Sequence, residues 1–221
     1  MPPEDLPERS PRRRSSMSLV IGAVILLVVA GGGYLAWEAL FADKTPAEEP
    51  APIPQAPVDD RASYASTTMG ISLRYPKSYT VNDAYANLSV NPKKPISGVQ
   101  FTIPMEVATG TNLSSDSGIS VEQLPRAKAC SGDIYLAANV HPVKVTDNGV
   151  QYSVASSTGA GAGNLYEEIV YAIASSTPCT AVRYFIHSTQ FANYPAGAVH
   201  EFDHAALIAA FDKIRQSLVL Q

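Results

Sequence analysis

His200-Glu201-Phe202-Asp203-His204 matches H-E-x-x-H letter for letter, and its residue types could carry out hydrolysis. On one helix face, two histidines four residues apart can hold zinc while the glutamate takes a proton from the metal-bound water. Catalytic zinc normally keeps three protein ligands and a water. Here Leu207 and Ala210 occupy the places where a metzincin extension would put Gly and His, and the chain reaches Gln221 soon afterwards. The motif also falls at the start of a predicted helix instead of inside it. The expectation is a polar helix start without structural or catalytic zinc. His200, Glu201 and His204 define the alternative, a zinc-dependent hydrolase.

A second constellation lies in the strand predicted over Thr180–Ser188. Strand side chains alternate between faces, so Cys179, Arg183 and His187 share one face, and a hairpin partner could bring Glu167 alongside. A buried Arg–Glu pair with a histidine near it would serve as a ligand site or as a structural ion pair. The register is not fixed by sequence, and a slip of one residue moves every side chain to the other face.

Cys130 and Cys179 are the only cysteines. Outside the cytoplasm such a pair is expected to be a structural disulfide, and closing a loop of about 50 residues is worth ~4 kcal/mol on the chain-entropy model. Ser156–Gly163 (SSTGAGAG) resembles a phosphate loop only superficially. The third glycine of G-x-G-x-x-G falls on Asn164, no Lys-Ser/Thr follows, and the next element reads as a strand, so a flexible hairpin loop is expected. There is no G-x-S-x-G elbow for a serine hydrolase. Asn87-Leu88-Ser89 and Asn112-Leu113-Ser114 are glycosylation triplets of the kind that arise by chance in a serine-rich chain. No catalytic residue set and no cofactor are expected.

The elements that would position these groups read as follows. Gly70–Tyr75, Gly98–Ile103 and Ile119–Leu124 suit strands, with a polar loop at Thr109–Gly118. Asn148-Gly149 between alternating runs at Val140–Thr146 and Val150–Ser156 is a strong hairpin signal. With Leu165–Ile173 and Thr180–Ser188 these runs make an antiparallel four-strand meander. Asp203 can cap a helix in which Leu207, Ala210, Phe211, Ile214 and Leu218 recur at three- and four-residue spacing, leaving His204, Asp212, Lys213, Arg215 and Gln216 on the solvated side.

The N-terminal quarter has a different character. Residues 1–16 are proline-rich and polar, and read as a disordered tail. Ser15 to Trp37 carries no charge, so 17–41 reads as one transmembrane helix, long enough at ~1.5 Å per residue for ~30 Å of hydrocarbon. Arg9, Arg12, Arg13 and Arg14 precede it, whereas Glu38, Asp43, Glu48 and Glu49 follow, which places the N-terminus in the cytoplasm and the rest outside. A cleaved signal peptide is the rival reading, with the imperfect site Leu40-Phe41-Ala42. Residues 42–62 (ADKTPAEEPAPIPQAPVDDRA) form a stiff Pro/Ala-rich linker, and 63–221 form one extracytoplasmic domain. From Ala62 onward ten Lys/Arg face eleven Asp/Glu, a balance that offers no basic face for nucleic acid.

Gly70-Ile71-Ser72-Leu73-Arg74-Tyr75-Pro76-Lys77-Ser78-Tyr79 resembles the G-x-x-x-x-Y-P-x-x-W/Y opening of PsbP-like domains, and Phe211–Leu218 (FDKIRQSL) resembles their closing helix. The resemblance implies an α+β fold, an antiparallel sheet with flanking helices. It also implies a binding or assembly subunit without a shared catalytic set, so no site residue is carried over. The whole chain resembles single-span proteins of small-genome candidate-phylum bacteria. The expected function is a membrane-tethered, non-catalytic binding domain whose partners are the lipid bilayer, through one helix, and an unidentified protein or small molecule outside.

Overall fold

Strands alternating small or polar residues with β-branched and aromatic ones dominate the computed structural model, which describes residues 60–221. The tail at 1–16, the apolar segment at 17–41 and nearly all of the linker lie outside the described residues. Among the described residues no helix is long and apolar enough to cross a membrane. A small antiparallel sheet contains β1 (Arg61–Ser66), β2 (Ile71–Pro76) and β11 (Val219–Leu220) in the order β1-β2-β11. β1 thus begins inside the range read as linker.

The large sheet is built from β3 (Thr80–Asn82), β4 (Ala86–Asn87), β5 (Ile96–Thr102), β6 (Gly118–Leu124), β7 (Val143–Asp147), β8 (Val150–Gly161), β9 (Asn164–Ile173) and β10 (Cys179–Thr189). Its order is β3-β5-β6-β10-β9-β8-β7, with β4 also paired to β5 and every pairing antiparallel. β7 to β10 form the expected meander, turned at Asn148-Gly149, where both residues have positive φ as a two-residue hairpin loop requires. Among the described residues two α-helices accompany the sheets: a single turn, α1 (Met105–Ala108), and α2 (His204–Arg215).

Two apolar layers flank the large sheet. On one face Phe101, Ile119, Val121, Val182, Tyr184 and Ile186 pack with Leu207, Phe211 and Ile214 of α2 and with Ile71 and Leu73 of the small sheet. α2 starts where expected, since Asp203 accepts a hydrogen bond from the Ala206 amide at 2.9 Å. On the other face Ile96, Val170, Ala172 and Ala181 pack with Tyr135 and Leu136, at and just after a 3-10 turn over Gly132–Tyr135. The Cys130–Cys179 disulfide, with Cα atoms 5.1 Å apart, ties the loop before that turn to the start of β10.

Two expectations need correction. Ser156–Gly161 is strand and not loop, because β8 stays paired to β9 as far as Gly161 opposite Asn164, and the turn is confined to Ala162 and Gly163. A ladder of backbone hydrogen bonds needs no side chains, so glycines can prolong it. Arg215 is not solvated. It is 4% exposed, and Asp212 beside it is tied into the same interior cluster.

Candidate functional site

α2 covers only part of its sheet face. Beyond the helix N-terminus, where β8, β9 and β10 run on, the uncovered face becomes the floor of a groove of about 830 Å³. Thr158, Ala160, Leu165, Glu167, Ile186 and Ser188 share this face by register and line the groove. Phe191, Glu201, Phe202 and His204 complete its walls.

Backbone hydrogen bonds fix these walls. The Gln190 amide and the Asn193 side-chain amide both donate to the Gly163 carbonyl at 2.9 Å, joining the tip of the β8–β9 hairpin to a 3-10 turn at Phe191–Asn193. Asn112, 5% exposed, joins three segments at once. Its backbone amide donates to the His200 carbonyl at 3.0 Å, its side-chain amide donates to the Thr189 carbonyl at 3.1 Å, and its side-chain oxygen accepts from the Phe202 amide at 3.1 Å. Sequence reasoning missed Asn112, because a buried asparagine in a polar loop looks like any exposed one.

Three of the residues singled out in the sequence meet here. His204 Nε2 lies 2.7 Å from Glu167 Oε2, and Glu201 lines the same groove. His200 does not share a helix face with His204. The helix begins only at His204, and His200 is extended chain that forms a parallel β-bridge with Thr111. The four-residue spacing therefore does not bring the two rings to one metal. Among the described residues no group of three or more His, Cys, Asp or Glu side chains is placed to hold a metal ion.

The expected grouping of Glu167, Arg183 and His187 does not form. The register sets Ile186 opposite Glu167 and Phe185 opposite Glu168, so Glu167 stands on the face away from Arg183. Arg183, 4% exposed, pairs instead with Glu168 and, at 3.4 Å, with Glu122, which has no exposed surface. Glu122 also accepts from the Asn87 side-chain amide at 3.0 Å, the Ser120 hydroxyl at 2.8 Å and the Tyr85 hydroxyl at 3.4 Å. Burial first, and Glu122 next, push the Tyr85 hydroxyl up to about 12. His187 joins neither glutamate. It meets Asp116 at 2.8 Å and stacks on Tyr166 with ring centroids 4.6 Å apart. A lone acid in the strand run ISVEQL was a signal for Glu122 that spacing arguments passed over.

The two sites differ in what they can do. Glu122, Arg183 and Glu168 are largely spent on one another inside the fold, whereas the groove presents half-exposed carboxylates, an imidazole and apolar surface to solvent.

No protein-family profile and no curated protein matches the chain. Solved structures similar to it include the following two. One, a crystal structure at 1.50 Å resolution from Bacteroides thetaiotaomicron VPI-5482, is 9% identical with a TM-score of 0.42, and the match covers 73% of this chain and 49% of that one. This chain thus spans about half the length of that protein. The other, the solution structure of cyanobacterial PsbP (CyanoP) from Synechocystis sp. PCC 6803, is 12% identical with a TM-score of 0.31, and the match covers 76% of this chain and 97% of that one. At these values neither likeness assigns the chain to a family. The mostly antiparallel sheet with few helices is the kind of architecture that the Gly70–Tyr79 resemblance implies.

Proposed function

We propose that the chain is a binding protein whose domain is held outside the cell membrane by the segment at 17–41 and the linker, and that the groove beside His204 takes a cationic, partly apolar peptide segment. The observation that carries this reading is the lining itself. Glu167 and Glu201 stand among apolar Leu165 and Ile186 of the floor and Phe191 and Phe202 of the walls, and among the described residues no Lys or Arg lines the groove. Concave, mostly apolar sites with a few placed polar groups are the usual form of a binding site. The PsbP-like motif and the arginines before the apolar segment support the reading from the sequence side. The alternative, a zinc-dependent hydrolase using His200, Glu201 and His204, is disfavoured because the two histidines lie on different elements.

The test uses the full chain in phosphatidylcholine nanodiscs and a short fluorescein-labelled peptide repeating Lys-Pro-Val. E167Q/E201Q should weaken binding by about tenfold, the scale set by losing close charge partners across an interface. Equal affinity of parent and variant would remove the groove from the reading. Protease added to intact cells should digest the domain or its linker, and survival of the domain until lysis would remove the extracytoplasmic placement.

A further inference from the structure

A second groove has the opposite charge. It lies where β5 begins and β6 ends, has a volume of about 790 Å³, and carries Lys94, Arg126 and Lys128 around a floor of Pro95, Leu124, Pro125 and Ile134. All three cations are exposed, and none forms an ion pair among the described residues. Asp133, the acid of this loop, is not part of the lining. The domain as a whole is nearly neutral, so three unpaired cations on one concavity are a local concentration.

The loop is also held in place. Arg126 and Lys128 lie within four residues of Cys130, whose disulfide to Cys179 anchors the loop to β10, and Ser97 pairs with Gln123 to fix β5 against β6. Two charges are thereby carried by a loop with little freedom to collapse away from a ligand, which lowers the ordering cost of binding. Pro95 and Pro125 have no amide hydrogen to offer an added strand, which shifts recognition toward side chains.

We propose that this groove binds an acidic peptide segment of a partner protein, with carboxylates meeting Lys94, Arg126 and Lys128 and apolar side chains resting on the proline–leucine floor. The concave shape favours a chain over a bilayer, because a flat lipid surface cannot follow a groove to its floor. Complementary charge also raises the association rate and makes binding sensitive to salt.

The experiment uses the full chain in phosphatidylcholine nanodiscs and a short fluorescein-labelled peptide repeating Glu-Pro-Val. K94E/R126E/K128E should lower affinity by at least about tenfold, and K94Q/R126Q/K128Q, which removes charge without adding repulsion, by a smaller factor in the same direction. The three are changed together because single exposed charges contribute little. E167Q/E201Q should leave this binding intact. Unchanged affinity in both triple variants, equal binding of a Gln-Pro-Val peptide, or no binding of the Glu-Pro-Val peptide would each overturn the proposal. Co-flotation with phosphatidylglycerol vesicles in place of peptide binding would overturn it in favour of a lipid surface.

Discussion

Replacing Arg215 with alanine should cost about 3–5 kcal/mol of stability, the range for removing one partner of a buried charge cluster. The guanidinium donates from Nε to the Tyr184 hydroxyl at 2.9 Å, and from Nη2 to Asp212 at 2.8 Å and Asp147 at 2.6 Å. Its plane also lies near two rings, with centroids 5.0 Å away at Tyr152 and 4.3 Å away at Tyr171. Removal leaves the Asp212 carboxylate facing a buried layer and takes away the charged contact to Asp147 at the β7–β8 hairpin, leaving only the Gln216 side-chain amide, 3.1 Å from Asp147, to join them there. Lysine should recover only part of the loss, since an ammonium cannot make the forked contacts of a guanidinium. Urea unfolding of the two variants beside the parent measures both effects, and a loss under about 1 kcal/mol for alanine would show that the cluster adds nothing net. Arg215 holds the Asp147 carboxyl below its ordinary range, chiefly by hydrogen bonding. A lowered carboxylate contributes stability above its unfolded value near 4 and loses it as the pH falls below that, so the parent should lose more than the alanine variant in acid.

Glu122→Ala should cost a similar ~3–5 kcal/mol. The residue has no exposed surface and accepts hydrogen bonds from four side chains, so truncation strands the Asn87 amide, the Ser120 hydroxyl and one edge of Arg183. In a double-mutant cycle with Arg183→Ala the double variant should lose less stability than the sum of the two single losses, because both single changes remove one shared interaction.

The alkaline limb provides a separate reading of the same cluster. Tyr85 is raised from 10.0 to about 12, so the folded state prefers its neutral form. A raised value contributes stability that is complete below pH ~10 and disappears as the pH climbs through about 12. Tyrosinate absorbance should show Tyr85 titrating late in the parent and earlier in Glu122→Ala, because the neighbouring carboxylate is one of the causes of the rise. An unchanged titration would assign the shift to burial alone.

Local periodicity made much of the fold readable. The Asn148-Gly149 hairpin, the four-strand meander and the stripe Leu207, Phe211 and Ile214 all follow from patterns spanning a dozen residues or fewer. Arg215 was misplaced although its spacing was visible. It lies four residues after Phe211 and eight after Leu207, in the same helical row, and only its charge argued for solvent. The glutamate partner of Arg183 was missed by one residue, because register depends on turn length and on which face each neighbouring layer buries. The groove beside His204 needs Asn112 to join segments some 75 to 90 positions away in sequence, and no short pattern encodes contacts of that range.

Asn112 and Asn87 have one more thing in common. Each begins an Asn-x-Ser triplet, and each is almost wholly buried, at 5% and 2% exposure, with its side-chain nitrogen donating inside the domain. That nitrogen is the atom to which a glycosylating secretory pathway would attach an oligosaccharide. A sugar at either position would displace a donor from the interior, so this fold and N-linked glycans are mutually exclusive at both triplets. Secretion from a eukaryotic host would set the modifying enzymes in competition with folding for the same two nitrogens.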